Sequence, residues 1–485
     1  MEAPGSTRRR KRPPSAQEND STPLGKRQKS LKAVEVSKTF ECNQISKEPV
    51  ASSLTAGTEV KLAGQRSESE GIATVSTSRP VTHPSQHSVP GEVMVIGQGD
   101  VGQLGLGEEV LERKNPAPVV GMKESSTQVV CGGMHTVALS KEGKVYTWGC
   151  NDEGALGRKT SDGEEYLPGL VDKLDDIRVV QVSAGDSHTA ALASDGRVYC
   201  WGVFRDMNGP FGLIGTAPST QPALVYTSPS DRAVKIDSGS DHLVILSEQG
   251  CVYTLGCAEQ GQLGRVAECF SSRGGRKGID HLLHPDIVSV PRKRGKTIPK
   301  FTDVFCGSYH TFAYAKEDGC LCVWGLNNYG QLGTGDTDTR YQPQVIGVHE
   351  WFGEDSNRLG DLQIAGGQHH TVLCHNGSVY VMGRKEYGRL GLGTEGEESH
   401  LPQKVPTLTD IGSVAAGVAC SYAVAHTGEA YSWGMGTNMQ LGNGSEEDGW
   451  TPGRVRGKNL ENCCVLAVSA GGQHTAMLVR KVGCV

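Results

Sequence analysis

Cys131–Arg158, CGGMHTVALSKEGKVYTWGCNDEGALGR, is the run whose reading decides the fold. It holds two short apolar runs, His135–Leu139 and Lys144–Trp148, joined by a tight turn that ends in Gly143. A glycine-bounded segment, Gly149 to Gly157, follows. Read alone, this is a β-hairpin with a loop.

The same pattern recurs along the chain. Gly-x-x-His followed by an apolar run starts at Gly132, Gly185, Gly239, Gly307, Gly366, Gly417 and Gly471, with gaps of 53, 54, 68, 59, 51 and 54 residues. The second half of the unit, a large apolar residue and Gly with Leu-Gly a little further on, has its first Gly at Gly97, Gly149, Gly202, Gly256, Gly325, Gly383 and Gly434. A period near 50 residues with about four strand-sized runs per unit is that of a propeller blade. The chain opens on a second half without a first (Gly97–Gly107) and closes on a first half without a second (Gly471–Arg480). Joined, the two make one blade and remove the open sheet edges. The expectation is an all-β, seven-bladed propeller over residues 92–481, closed by both ends of the chain, with a tail over 1–91 and a short end at 482–485. Glycine, at about 13 % of residues against roughly 7 % in ordinary proteins, serves turns such as Glu142-Gly143 and Asn376-Gly377.

No apolar run reaches the roughly 18 residues of a membrane span, and the first 30 residues lack an apolar signal core. The reading is therefore neither membrane-bound nor secreted. Fifteen scattered cysteines without a CxxC…CxxC set read as reduced core thiols of a nuclear or cytosolic protein. Residues 1–40 hold ten Lys/Arg and four Asp/Glu, whereas the whole chain is −6, so the remainder carries −12. A basic arm on an acidic body points to two partners of opposite character.

Residues 1–91 are poor in large apolar side chains and are expected to be disordered. Arg8, Arg9, Arg10, Lys11 and Arg12 are followed, after a spacer, by Lys26, Arg27 and Lys29. Two basic clusters so spaced are similar to a bipartite nuclear import signal, and the same charges suit DNA phosphates without sequence preference. A merely solvated tail is the plainer alternative. Within residues 266–300, eight Lys/Arg against three Asp/Glu, including Arg273 and Arg276, make a basic insertion on an acidic body. It is an anion-binding surface or simply a solvated loop. The third second-half departs from its siblings, reading GVFRDMNGPFGLIG over 202–215. Its Asn208-Gly209 pair reads as a turn, so that Val203–Phe211 projects as a small hairpin offering Phe204 and Arg205 for contact.

Six of the seven Gly-x-x-His sites keep the histidine, as His135, His188, His242, His310, His369 and His474, and the seventh has Cys420. Recurrence argues for a structural role, hydrogen-bonding strands near the axis. The breaks in sameness are more informative: Asp186 and Asp241 stand where sibling blades carry neutral residues. Two acids near a propeller mouth suit a cation or a basic partner surface, or are ordinary loop acids. No nucleophile or metal-ligand set accompanies them, and neither GxGxxG run (97–102, 391–396) opens a helix in a βαβ unit, so no cofactor, metal or covalent chemistry is expected.

Several strings go beyond a generic repeat: GQGDVGQLGLGE (97–108), SAGDSHTAAL (183–192), FRDMNG (204–209), RGGRKG (273–278), GGQHHTV (366–372) and WGMGTN (433–438). With them the chain resembles the Regulator of Chromosome Condensation family from about Val93 to Val479. The resemblance implies a chromatin-bound guanine-nucleotide exchange factor for the small GTPase Ran. It implies GTPase-facing roles for Asp100, Asp186, Asp241, Arg265, Asn328, His369, Asp448 and His474, and a wedge around Arg205 that disturbs the phosphate-binding loop. It further implies that the Arg273/Arg276 loop docks on the acidic patch of core histones, that the tail meets DNA and nuclear import receptors, and that the protein sits on chromatin in the nucleus. Ser240 and Pro210 depart from the family's usual residues. The competing class is a propeller scaffold that binds partners without exchange activity. A Trp-based photoreceptor is disfavoured, since Trp148, Trp201, Trp324 and Trp433 occupy the repeat's core position.

Overall fold

In the Cys131–Arg158 run the apolar stretches become the strands His135–Ser140 and Val145–Gly149, paired antiparallel with His135 opposite Gly149 and Leu139 opposite Val145. Gly143 closes the turn with φ 88°, a conformation open to glycine at no steric cost. The computed structural model describes residues 89–122, 124–213, 218–271, 278–291, 299–353 and 362–482. The arm of residues 1–88 lies outside them, and with it the expected disorder and the basic clusters Arg8–Arg12 and Lys26–Lys29.

Among the described residues, the repeat builds seven four-stranded antiparallel sheets, so the propeller reading holds. The second blade runs Ser126–Cys131, His135–Ser140, Val145–Gly149 and Gly169–Leu170 from inside to outside. The first strands of the blades line a central channel of about 900 Å³. Both middle strands of this blade are buried at every position, because neighbouring blades cover both faces of the sheet. Glu92–Gln98 pairs antiparallel with His474–Lys481, Val95 opposite Ala476. Cys463–Ala470 and Glu112–Pro118 complete that closing blade, which joins the two ends of the propeller as expected.

The recurring histidines stitch neighbouring blades. His135 Nε2 lies 2.8 Å from Thr189 Oγ1, and that hydroxyl donates to Ala155 O at 2.8 Å. The hydroxyl's proton being committed, the histidine is the donor, neutral and protonated at Nε2. Burial drives the His135 pKa down to about 4, which keeps it so. His474 meets Thr136 at 2.8 Å, His242 meets Thr311 at 3.0 Å and His310 meets Thr371 at 3.1 Å.

In the sixth blade the stitch is His370, not His369. His370 Nε2 lies 2.9 Å from Ser421 Oγ, and a Cβ on Gly367 would come within 2.2 Å of the His370 ring. That blade's repeat therefore starts at Gly367, one residue later than Gly366, because two adjacent histidines made the sequence register ambiguous. Where Cys420 replaces the histidine, Tyr422 Oη takes over, 2.8 Å from Thr475 Oγ1.

The ring of hydroxyls breaks at one joint. The third blade's His188 faces the fourth blade's Leu243, which stands at the repeat position of Thr136, Thr189 and Thr311. Among the described residues, no side-chain hydroxyl partners either ring nitrogen of His188, and only the Ser240 main chain acts on the ring as a hydrogen-bonding group. The same blade also carries Leu255 where Trp148, Trp201, Trp324 and Trp433 stand in others. Those four indoles are fully buried, and each donates Nε1–H to a main-chain carbonyl, Trp201 to Ala155 O at 2.8 Å for one.

Candidate functional site

A four-stranded up-and-down blade sends its first turn and its last loop to the same end of the propeller. The seven first turns ring the mouth of the channel and are hydrogen-bonded to one another: Gly133 N to Gly185 O (3.1 Å), Asp186 N to Ser240 O (2.8 Å), Ser240 N to Ser308 O (3.0 Å), Ser308 N to Gly367 O (3.1 Å) and Gly472 N to Gly133 O (3.0 Å). Each last loop is pinned to its own blade's turn, as Val203 N to Ser187 O (2.9 Å) and Cys257 N to Asp241 O (2.8 Å). Asp186, Asp241, His369 and His474 come from first turns or the residue that ends them. Asp100, Arg205, Arg265, Asn328 and Asp448 come from last loops. All nine therefore gather at one end, although they span most of the sequence.

The hairpin expected over Val203–Phe211 is present as Phe204–Asp206 paired with Gly209–Phe211. Its two turn residues are Met207 and Asn208, with Gly209 opposite Asp206, so Asn208-Gly209 is not itself the turn centre. The Asp206 carboxylate accepts from Asn208 N at 2.8 Å and holds the turn. Phe204 does not protrude, contrary to the sequence reading. It is fully buried, edge-on to His188 with ring centroids 4.7 Å apart, and Phe211 is buried beside it. Both rings pack in one apolar cluster with Leu243, Leu255 and Leu213, the space that a Trp and a hydroxyl occupy at other joints. Arg205 is half-exposed, and Met207 at the tip is 75 % exposed.

Asp241 sits beneath this hairpin and is not an ordinary solvated acid. It is 9 % exposed, and its Oδ1 accepts the backbone N–H of Arg205 at 2.7 Å. Burial, and then the nearby Asp186 carboxylate, push its pKa up to about 7 against the pull of Arg205. Asp186 opens onto the mouth. Desolvation raises its pKa, offset by a Ser240 hydrogen bond and by Arg205.

On the other side of the mouth His369 is half-buried between Tyr329 and Tyr309, with ring centroids 5.2 and 6.4 Å away. The Arg384 guanidinium lies 4.8 Å over the Tyr329 ring. Burial, then Arg389 and Arg384, hold His369 near pKa 4. Asp100 and Asn328 are exposed, and Asp448 Oδ1 accepts Gly436 N at 2.9 Å.

Two of the nine turn inward. His474 is 1 % exposed and spent on the blade stitch. Arg265 donates to Thr254 O, His281 O and His284 O, as its repeat counterpart Arg158 does to Thr147 O and Leu167 O. A GTPase contact by either guanidinium or imidazole would have to replace these internal bonds. Arg273 and Arg276 lie outside the described residues, in the connection between the short helices Glu268–Ser271 and Ile279–Leu283.

Sequence reasoning missed Glu153, Glu259, Tyr329 and Arg384, which surround the hairpin and His369. Their one legible signal is position, since all four lie just after the closing glycine of a third strand.

The RCC1-like domain family matches residues 92–477. The chain is similar to Regulator of chromosome condensation of Xenopus laevis, 50 % identical over 424 residues that cover 85 % of this chain and 96 % of the relative. It is similar to the guanine nucleotide exchange factor SRM1 of Saccharomyces cerevisiae, 32 % identical over 437 residues covering 80 % and 86 %. The solved structure of Prp20p from Saccharomyces cerevisiae, described with that protein's binding properties to Gsp1p and histones, matches with TM-score 0.71 at 30 % identity over 82 % of this chain and 94 % of that one.

Proposed function

The chain belongs to the Regulator of Chromosome Condensation family, with its RCC1-like domain over residues 92–477, and on that premise we propose that it is a guanine-nucleotide exchange factor for the small GTPase Ran. The observation that carries this is the assembly at one end of the propeller: Asp186 and Asp241 flank a hairpin whose apolar root is buried and whose tip is exposed. Asp100, Asn328, His369 and Asp448 widen that surface.

An exchange factor makes and breaks no covalent bond. It binds the nucleotide-free GTPase better than the loaded form, and linkage then requires that it weaken nucleotide binding by the same factor. The acidic mouth orients a basic face of the GTPase. The hairpin, bearing Arg205, presses on the phosphate-binding loop and loosens the phosphates, and an excess of GTP refills the site. Chromatin association rests with the Arg273/Arg276 loop on the acidic patch of core histones and with the basic arm, Arg8–Arg12 and Lys26–Lys29, on DNA. The arm also engages nuclear import receptors. The place of action is the nucleus, on chromatin, in nucleocytoplasmic transport, spindle assembly and nuclear envelope formation.

Release of a fluorescent GDP from Ran by the full chain, with and without nucleosomes, tests both halves. Accelerated release is expected, and so is retention of the chain on nucleosomes. Nucleotide left undisturbed on Ran leaves the scaffold reading.

A further inference from the structure

The hairpin stands over the one joint at which the ring of hydroxyls fails. Phe204 and Phe211 anchor its root there, but they fix only the base. The arm above the base is held by three carboxylates from two other blades. Asp241, from the fourth blade's first turn, accepts Arg205 N at 2.7 Å. Glu259, from the fourth blade's last loop, accepts Met207 N at 3.0 Å through Oε2. Glu153, from the second blade's last loop, is ion-paired with the Arg205 guanidinium and is only 19 % exposed.

A two-stranded hairpin is marginal by itself in water, so its direction is decided by whatever bonds its outer edge. These bonds come from both sides: Glu153 pulls from the second blade, and Asp241 and Glu259 from the fourth. Two of the acceptors take main-chain N–H groups, which sets the path of the strand itself rather than a side-chain rotamer. What the held hairpin presents at the mouth is the half-exposed Arg205 and the exposed tip at Met207.

We propose that Glu153 and Glu259 are positioning residues for nucleotide exchange, acting through the hairpin by holding its exposed tip at a set angle over the mouth of the channel. This rests on the exchange reading above. In that reading the partner is displaced by a rigid element, and a tip that swings loses displacement while leaving the acidic docking surface intact. Loosening the hairpin therefore lowers kcat more than it raises KM.

The test is fluorescent-GDP release from Ran by the full chain. Glu259→Ala is expected to lower kcat about tenfold, equivalent to about 1.4 kcal/mol, with KM changed less than about twofold. Glu259→Gln, which keeps an acceptor for Met207 N, is expected to restore most of the rate. For Glu153, the combined Glu153→Ala and Arg205→Ala variant is expected to be no slower than Arg205→Ala alone, as two members of one contact behave. Wild-type kcat in Glu259→Ala, or a folded Glu259→Gln as slow as the alanine variant, overturns the proposal, and so do fully additive effects of Glu153 and Arg205. If the unsubstituted chain leaves labelled GDP on Ran, the exchange reading itself falls; if it exchanges normally and only these variants are silent, the positioning role alone falls.

Discussion

His188 and Phe204 meet edge to face, ring centroids 4.7 Å apart, at the joint where His188 finds Leu243 in place of a hydroxyl. A structural histidine has there exchanged a hydroxyl partner for an aromatic neighbour, and that neighbour is the root of the hairpin. The propeller's internal regularity and its projecting element are thus alternatives for the same space.

Phe204→Ala is expected to destabilise the propeller by about 3–5 kcal/mol, the range for a fully buried Phe, because a cavity opens between the third and fourth blades. Urea unfolding followed by Trp fluorescence measures it. A loss below about 1 kcal/mol would mean that the hairpin root is not part of the core.

Thr189→Val leaves the Nε2–H of His135 buried without an acceptor, a cost of about 1–3 kcal/mol. Leu243→Val, at the joint with no such bond, lacks this contribution and reports packing alone. Comparable losses from both substitutions would show that the stitch adds nothing beyond packing.

The buried histidines also set an acid limit. Burial lowers His135 to about 4 and His188, His242, His310 and His474 to about 3. The unfolded chain, with histidines near 6.5, binds more protons between those values. Their contribution is therefore complete above about pH 6.5 and is lost as the pH falls toward 3. Melting temperatures taken between pH 7 and 4 should fall, and His135→Gln should fall less steeply.

Asp241 gives the opposite slope. Its folded pKa of about 7 lies above the unfolded value near 4, so the folded state binds the extra proton in that window. Ionising Asp241, buried and beside the Asp186 and Glu153 carboxylates, costs stability as the pH rises from 4 to 7, an effect that Arg205 only partly offsets. Asp241→Asn, which keeps an acceptor for Arg205 N, should exceed the wild-type melting temperature slightly at pH 5 and by a larger margin at pH 8. Equal melting temperatures at both values would place the Asp241 pKa in the ordinary range. In exchange assays Asp241→Ala should slow release from Ran.

Removing residues 469–481 takes away the partner strand of Glu92–Gln98 and reopens two sheet edges. Loss of the cooperative melting transition is expected. An unchanged transition would mean that the closing blade is dispensable.

The repeat was legible because a blade needs the same glycines and the same histidine wherever it stands, so spacing alone revealed six contiguous units and a split seventh. The sixth blade was misread by one residue, since His369 and His370 are adjacent and only the hydroxyl of Ser421 distinguishes them. Asp186 and Asp241 could be picked out as charges among neutral siblings. Their environments could not: Asp241 is buried under a hairpin from the neighbouring blade, a contact between residues 36 apart in the chain. Phe204 was read as protruding because a large apolar residue in an irregular loop gives no sign of the Leu255 vacancy that accepts it.

From the sequence alone came the number of blades, the closure by both ends and the residues that break the pattern, because local spacing and turn chemistry are properties of the chain. The tertiary structure alone decided which residues face outward, which are spent inside the propeller, as His474 is on a blade joint and Arg265 on its own loop, and how three blades hold one hairpin. Such facts depend on what the neighbouring blade places across the joint, and no single repeat encodes its neighbour.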